Sequence, residues 1–269
     1  IGLRAIESPY SAHSYMLYEC GECGSRSFDA HEHDIDLDQF YQERPGQSAH
    51  GEADFRASAY WLNEVKLIKK ICGGNPACVL DIGCRTGDFL LHWPADMRRV
   101  GVELSARSAR VAAKRGLDVI QGFVERVDFD QTFDVVTCYA VLEHLSEPQR
   151  FLERLTELVS DGGMLVIMIP SYQTFKARLL EAAHVRWHMY SPPEHLNFYS
   201  RRFLDDYFGA KGFELVARRY TSGGMFNPFR HIPLLSRLFG KVMWWADAHC
   251  PLNRLPIFDH MYSYYLHAQ

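Results

Sequence analysis

The sequence predicts a doubly wound α/β fold, and three observations predict it. Short apolar runs alternate with segments of helical spacing from residue 78 to residue 170. Runs such as CVLDI (78–82), FDVVTCYA (133–140) and MLVIMIP (164–170) lack regular polar alternation. Strands of that kind are buried on both faces, which places them in a parallel sheet between helix layers. The first run ends in DIGCRTG (81–87), an acid and two glycines, where such a sheet presents a loop to a ligand.

The elements follow in order. Residues 1–50 read as irregular and polar, punctuated by YECGECGS (18–25). Residues 51–72 carry helical spacing through Phe55, Tyr60, Val65 and Ile68, and Gly73-Gly74 ends them. After the strand at 78–82, DFLLHW (88–93) begins a helix that Pro94 cuts short. RVGVEL (99–104) and DVIQGF (118–123) are strands around the helix SARSARVAAKRG (105–116), which has a Ser cap and a terminal Gly. The amphipathic stretch 146–159 puts Phe151, Leu152, Leu155, Leu158 and Val159 on one face, and Asp161-Gly162-Gly163 turns into the strand 164–170. A helix over 172–184 is followed by the loop HMYSPPEHLNFYS (188–200). Ser200 caps a helix ending near Gly209, FELVARRY (213–220) is a strand, and MYSYYLHA (261–268) is the last strand. The chain divides into an N-terminal segment (1–50), an α/β domain (51–222), an aromatic-rich insertion or cap (223–260) and the closing strand (261–269).

Composition narrows the function. The net charge of −4 supplies no basic field for nucleic acid. No apolar run approaches the roughly 18–20 residues that span a bilayer, and the N-terminus lacks the build of a signal peptide. Seven cysteines, of which only Cys20 and Cys23 are closely spaced, suit a reduced cytoplasmic protein.

The loop at 81–87 carries the chemistry. Glu103 ends the next strand, 20 residues beyond Gly83, where an acid can take both hydroxyls of a ribose. A dinucleotide loop needs G-x-G-x-x-G, whereas this one is D-x-G-x-x-x-G. A carboxylate at Asp81 repels a pyrophosphate and suits an ammonium group, so a cationic amino-acid–adenosine ligand fits better. No G-K-[ST] follows, which excludes a P-loop. Arg85 stands where a small residue would let a ligand approach most closely.

VLDIGCRTGDFLL, the acid in VGVELS, FDVVTCYAVLEHL and LVSDGGMLVIMIPS resemble, in order and spacing, class I S-adenosylmethionine-dependent methyltransferases of the small-molecule branch. The resemblance covers roughly residues 60–220. It implies a mostly parallel seven-stranded Rossmann-like sheet whose last strand is antiparallel. It implies that Asp81, Gly83, Cys84 and Gly87 line the methionine part of the cofactor. Glu103, with Leu104 beside it, would hold the ribose, and Gly122, Phe123 and Val124 would border the adenine. Cys138 and Tyr139 would close the pocket near the sulfonium. Arg85 replaces a common Gly, and Phe123 a common polar residue.

A hydroxyl acceptor also needs a base, and histidine is the residue suited to neutral pH. His195, beside Glu194, Asn197 and Tyr199, is the first candidate; His144, after the fourth strand, is the second. Tyr139 is a third, with Tyr172 and Tyr190 in reserve. Relatives that modify sugars or lipid-linked glycans carry a stretch similar to PPEHLNFYS. The expected acceptor is therefore an oxygen of a sugar, a glycolipid precursor or a secondary metabolite. Rivals are a non-catalytic scaffold, an NAD-dependent oxidoreductase and a nucleic-acid methyltransferase. The missing dinucleotide loop disfavours the second, and the acidic balance and the Cys138-Tyr139-Ala140 turn disfavour the third.

Two features stand apart. Cys20 and Cys23 have the turn chemistry of half a zinc knuckle, with His31 and His33 as candidate further ligands; two reduced loop cysteines is the alternative. In 233–251, Leu234, Leu235, Leu238, Phe239, Val242, Met243 and Trp245 recur at helical spacing. That stripe packs on the sheet or on a second copy in a homodimer, covers an apolar substrate, or touches a membrane surface peripherally.

Overall fold

A computed structural model describes residues 1–29, 40, 55–221 and 254–268. Three strands, β1 (Gly2–Glu7), β2 (Ser14–Glu19) and β3 (Arg26–Phe28), precede the helix α1 (Phe55–Ile71). Next come β4 (Cys78–Ile82), β5 (Arg98–Glu103), α2 (Ala106–Lys114), β6 (Asp118–Gln121) and β7 (Phe133–Tyr139). They are followed by α3 (Pro148–Leu158), β8 (Val159–Pro170), α4 (Phe175–Ala182), β9 (Asn197–Phe198), α5 (Arg201–Gly209), β10 (Phe213–Thr221) and β11 (His260–His267).

The main sheet has seven strands in the order β10-β11-β8-β7-β4-β5-β6. Strands β4 to β8 pair in parallel, and β11 lies antiparallel between β8 and β10. This is the sheet expected, with its antiparallel last strand. The chain runs outward from β4 through β5 to β6, then returns to the other side of β4 as β7. The loop after β4 therefore sits where the strand order reverses, at the place an open sheet offers a ligand.

Alternation along the strands divides two cores. Leu80, Val100 and Val136 pack with Phe151, Leu155 and Phe208 on one face. Val79, Val135 and Val166 pack with Val65, Ile68 and Phe89 on the other. A buried polar knot ties α1 to the second face. Glu64 is wholly buried, forms an ion pair with Arg219 on β10, and accepts the hydroxyls of Tyr264 (2.8 Å) and Tyr139 (3.2 Å). The Arg219 guanidinium donates to Tyr264 Oη at 2.6 Å and lies 4.4 Å from the centre of the Tyr262 ring.

The structure departs from the sequence reading in three places. Residues 1–28 are not irregular: β1, β2 and β3 join β9 in a four-stranded antiparallel sheet. Tyr15 and Leu17 point inward, but Met16 and Tyr18 beside them are apolar too, which hides the two-residue period. DFLLHW makes only a 3-10 turn, Leu90–His92, not a longer helix. Asp161-Gly162-Gly163 lies within β8, where the register against β7 shifts. The helix expected in 233–251 falls outside the described residues. Among the described residues no helix is long and apolar enough to cross a membrane.

Removing one partner of a buried ion pair leaves a desolvated charge, which costs about 3–5 kcal/mol. Glu64→Ala is expected to lose that much in urea or guanidinium unfolding, because it strands Arg219 and two tyrosine hydroxyls. A loss below about 1 kcal/mol would show the knot to be dispensable.

Candidate active site

The loop after β4 is shaped by its neighbours. Gly83 has φ +77°, and a Cβ there would stand 2.6 Å from Val141 Cγ2. Gly87 has φ +79°, and a Cβ there would stand 2.1 Å from Leu117 Cδ1. At the second glycine the left-handed φ favours glycine, and Leu117 of the α2–β6 connection fills the space a side chain would take. The N–H groups of Gly83 and Cys84 both donate to Val102 O, at 2.8 and 3.1 Å, which holds the loop against β5. Arg85 is exposed and has φ 51°, in the left-handed region that costs a non-glycine residue about 1 kcal/mol.

Two carboxylates flank the loop. Asp81 is buried at the end of β4, and its Oδ1 accepts the Thr137 hydroxyl at 2.7 Å. Burial pushes its carboxyl up to about 7; the Thr137 hydrogen bond opposes that, and the charge of Glu103 adds to it. Glu103 accepts the backbone N–H of Arg85 (2.9 Å) on one oxygen and that of Ser105 (2.8 Å) on the other. The same contacts fix the carboxylate and clamp the loop. Beside it Leu104 is 36% exposed, an apolar surface at the strand end. Gly122 has φ +149°, and a Cβ there would meet nothing within 4 Å, so this side is open. A buried carboxylate, a fixed second one and an open apolar edge fit S-adenosylmethionine.

Several expected contacts are corrected in kind. Cys84 and Cys138 are buried core residues, and burial raises both thiols, so their side chains pack into the core. Val124 likewise packs into the core, on the 3-10 turn Val124–Arg126. The Phe123 ring is covered by the Arg126 guanidinium at 5.0 Å, a contact the sequence does not announce. Tyr139 is drawn into the knot: its hydroxyl donates to Glu64, its ring packs against Trp61, Phe89 and Tyr262, and burial lifts its phenol well above the ordinary range. These contacts tie the phenol to the knot, and a raised phenol is a less ready base than an imidazole.

The two histidines, 51 positions apart, come together. Ala140, at φ 53°, swings the chain out of β7 into the 3-10 turn Leu142–His144. The 188–200 loop lies against that turn, and the His144 and His195 ring centres are 5.0 Å apart. His144 Nδ1 donates to Glu194 O at 2.6 Å, and His195 Nδ1 donates to Met189 O at 2.9 Å. Sequence reasoning missed Glu143. Its carboxylate lies with both imidazoles, 1% exposed, and burial pushes it up to about 8, with the charge of Glu194 adding to the effect. The signal was present in VLEHL, where an acid precedes the histidine on a turn too short to aim the two side chains apart.

Tyr172 and Tyr190 belong to the third core, with Tyr190 held by Arg26 at 2.6 Å, so both are packing groups. Cys20 and Cys23 occupy the β2–β3 turn, where the N–H groups of Cys23 and Glu22 lower the Cys20 thiol. No third ligand joins the pair among the described residues, and His31 and His33 lie outside them. The described residues therefore do not make a zinc site there.

Two predictions follow from the loop. Arg85→Gly is expected to raise stability by about 0.5–1 kcal/mol, by relieving the left-handed residue, while changing cofactor affinity by less than about threefold. Denaturant unfolding and calorimetry read the two effects. The second concerns pH. Asp81 sits protonated below about 7 in the cofactor-free protein and must ionise to face a cation. Cofactor affinity should therefore rise about tenfold in all as pH increases from 6 to 8, and level off above that. Asp81→Asn should bind weakly and without that slope; an unchanged slope would remove Asp81 from the site.

Comparison with known proteins agrees with this geometry. Residues 55–218 match a family described as a methyltransferase domain. A mitochondrial ubiquinone biosynthesis O-methyltransferase of Schizosaccharomyces pombe is 39% identical over 116 residues, 38% of this chain and 40% of that protein. An ajmaline N-methyltransferase of Rauvolfia serpentina is 26% identical over 107 residues, 35% of this chain and 36% of that protein. The matches thus span about 40% or less of these two relatives' own lengths. The solved structure of a magnesium protoporphyrin IX methyltransferase from Synechocystis PCC 6803 shares the fold, with a TM-score of 0.55 and 13% identity over 82% of this chain and 91% of that one. With the family match covering more than half of the chain, the sheet order and the loop at its switch point are those of its fold, and the chain belongs to the class I S-adenosylmethionine-dependent methyltransferases.

Proposed function

We propose that the chain methylates an oxygen of a small-molecule acceptor of the sugar, glycolipid-precursor or secondary-metabolite class. The observation that carries this reading is the Glu143–His144–His195 cluster, built on the turn after β7, whose Val141 stands against Gly83 of the cofactor loop. A nitrogen acceptor that is already nucleophilic needs no such group, whereas a hydroxyl must lose its proton.

S-adenosylmethionine, when bound, supplies a methyl carbon on a sulfonium, so that one C–O bond forms, one C–S bond breaks with its electron pair left on sulfur, and the acceptor's proton is released. The chain's own residues do the rest. Asp81 and Glu103 favour a cation and a ribose at the loop. Because the His195 Nδ1–H is spent on Met189 O, the neutral ring carries its lone pair on Nε2, ready to take a proton. His144 is set in the same tautomer by Glu194 O. Alignment of the acceptor oxygen with the methyl carbon supplies most of the acceleration, since the donor is already activated.

His195→Ala is expected to lower turnover by about 10²–10⁴-fold while S-adenosylmethionine still binds within about threefold of the parent. Candidate hydroxylated acceptors of the three classes serve as probes, with S-adenosylhomocysteine release as the readout. Full turnover in both His195→Ala and His144→Ala would overturn the assignment.

A further inference from the structure

Glu143 raises a question that proton transfer by histidine does not answer. Its side chain is 1% exposed, and its Oε2 has no hydrogen-bond partner. An unpaired buried carboxylate oxygen is costly, by several kcal/mol in an apolar setting. It is not idle filler in an apolar core, because it converges with two imidazoles: one oxygen of Glu143 and one ring nitrogen each of His144 and His195 all lie within 4.8 Å of one another.

We infer that Glu143, His144 and His195 form a three-ligand site for a divalent transition-metal ion, with positions left open for the acceptor oxygen. Two imidazoles and one carboxylate are the donor set that zinc, manganese, iron or cobalt takes, and it is too rich in nitrogen for magnesium or calcium. Tetrahedral ligands at 2.0–2.2 Å from a metal stand about 3.4 Å apart, so side-chain shifts of about an ångström close the site. The outer contacts are those a metal-binding histidine needs. Each Nδ1–H donates to a backbone carbonyl, Glu194 O for His144 and Met189 O for His195, which places each lone pair on Nε2 and fixes the ring. Glu194 adds a second carboxylate, its Oε1 3.7 Å from His195 Nε2, while its other oxygen accepts the Tyr10 hydroxyl. A cation would balance the two carboxyl groups that the turn after β7 and the 188–200 loop bring to the two imidazoles.

The role given to the ion rests on the oxygen-acceptor reading above. With the metal in place, His195 Nε2 is a ligand, and an acceptor hydroxyl bound to the ion loses its proton to water because its pKa falls. Loss of turnover in His195→Ala is common to both accounts, so the test reads the metal itself.

The full chain, stripped with chelator and dialysed, is titrated with cobalt(II), followed by its visible d–d absorption, and with zinc(II) by calorimetry. One equivalent per chain is expected, with the absorption of a four- or five-coordinate ion. Glu143→Gln, His144→Ala and His195→Ala should each weaken binding at least about tenfold. The double variant Cys20→Ser/Cys23→Ser should bind as the parent does. Far-UV circular dichroism and S-adenosylmethionine calorimetry on each variant identify those that stay folded, and the wild-type stoichiometry stands without them. No stoichiometric uptake by the wild-type chain would overturn the inference, as would unchanged affinity in the three folded cluster variants or loss of binding in the cysteine variant. Cofactor binding without metal uptake would sink the metal site alone and leave the methyltransferase reading standing. Metal uptake with no methylated hydroxyl product would sink the acceptor reading alone.

Discussion

The acceptor side of this molecule depends on a stitch of backbone between two segments distant in sequence. Leu196 N–H donates to Glu143 O and the Asn197 side-chain amide to Leu145 O, both at 2.6 Å. His144 Nδ1 donates to Glu194 O at the same distance, and the Tyr199 hydroxyl reaches Leu142 O at 3.3 Å. A buried loop must satisfy its polar groups somewhere. Here they are satisfied by the turn that follows β7, and His195 reaches His144 as a consequence. Without the stitch, the cluster is three residues on two unrelated stretches of chain.

The N-terminal sheet secures the other side of the same loop. β3 pairs with β9 through Ser27 and Asn197, so Asn197 is held between β3 and the turn after β7. Ser8 Oγ donates to Pro192 O at 2.7 Å, Ser200 Oγ donates to Cys23 O at 2.6 Å, and the Tyr10 hydroxyl bonds Glu194. Beneath these lies a core of its own, in which Tyr15, Leu17 and Phe28 pack on Trp187, Tyr190 and Phe198. In physical terms the first 28 residues buttress the loop that carries His195. The Cys20–Cys23 turn has a place in this scheme without metal, since Cys23 O caps the start of α5 through Ser200.

What could be read from the sequence follows the range of the interactions that decide each feature. The parallel strands declare themselves because burial on both faces leaves Cys78–Ile82 and Phe133–Tyr139 largely apolar, with no regular polar alternation. Asp81 and Glu103 are legible because a strand end and a fixed offset place them. The N-terminal sheet is not, because β3 has three residues and β9 two, too few to show a period, and their partners lie far along the chain. Arg85 is half legible: its position in the turn is plain, but its φ of 51° is set by Glu103, which holds its N–H from a separate strand. The side-chain directions of Cys84 and Cys138 also escape a linear reading. A residue whose backbone lines a loop can still send its side chain into the core, as both do.

The two halves of the site are built by different means, and the difference suits the reaction. On the cofactor side, glycine geometry and backbone hydrogen bonds set the shape, and the charges that matter are the carboxylates Asp81 and Glu103. Asp81 is desolvated, and burial raises its carboxyl, so a positive partner would be favoured there. The ammonium group of the methionine part would be that partner, and it is the same before and after transfer, so the two carboxylates would hold donor and product alike. Such uniform attraction serves binding and does not itself speed the chemical step. For the oxygen acceptor proposed above the demand is opposite, since negative charge would develop on oxygen as its proton leaves. The imidazoles of His144 and His195, and a cation bound between them and Glu143, would answer that demand. The turn after β7, beginning at Ala140 with its φ of 53°, separates these two electrostatic surroundings within a few residues.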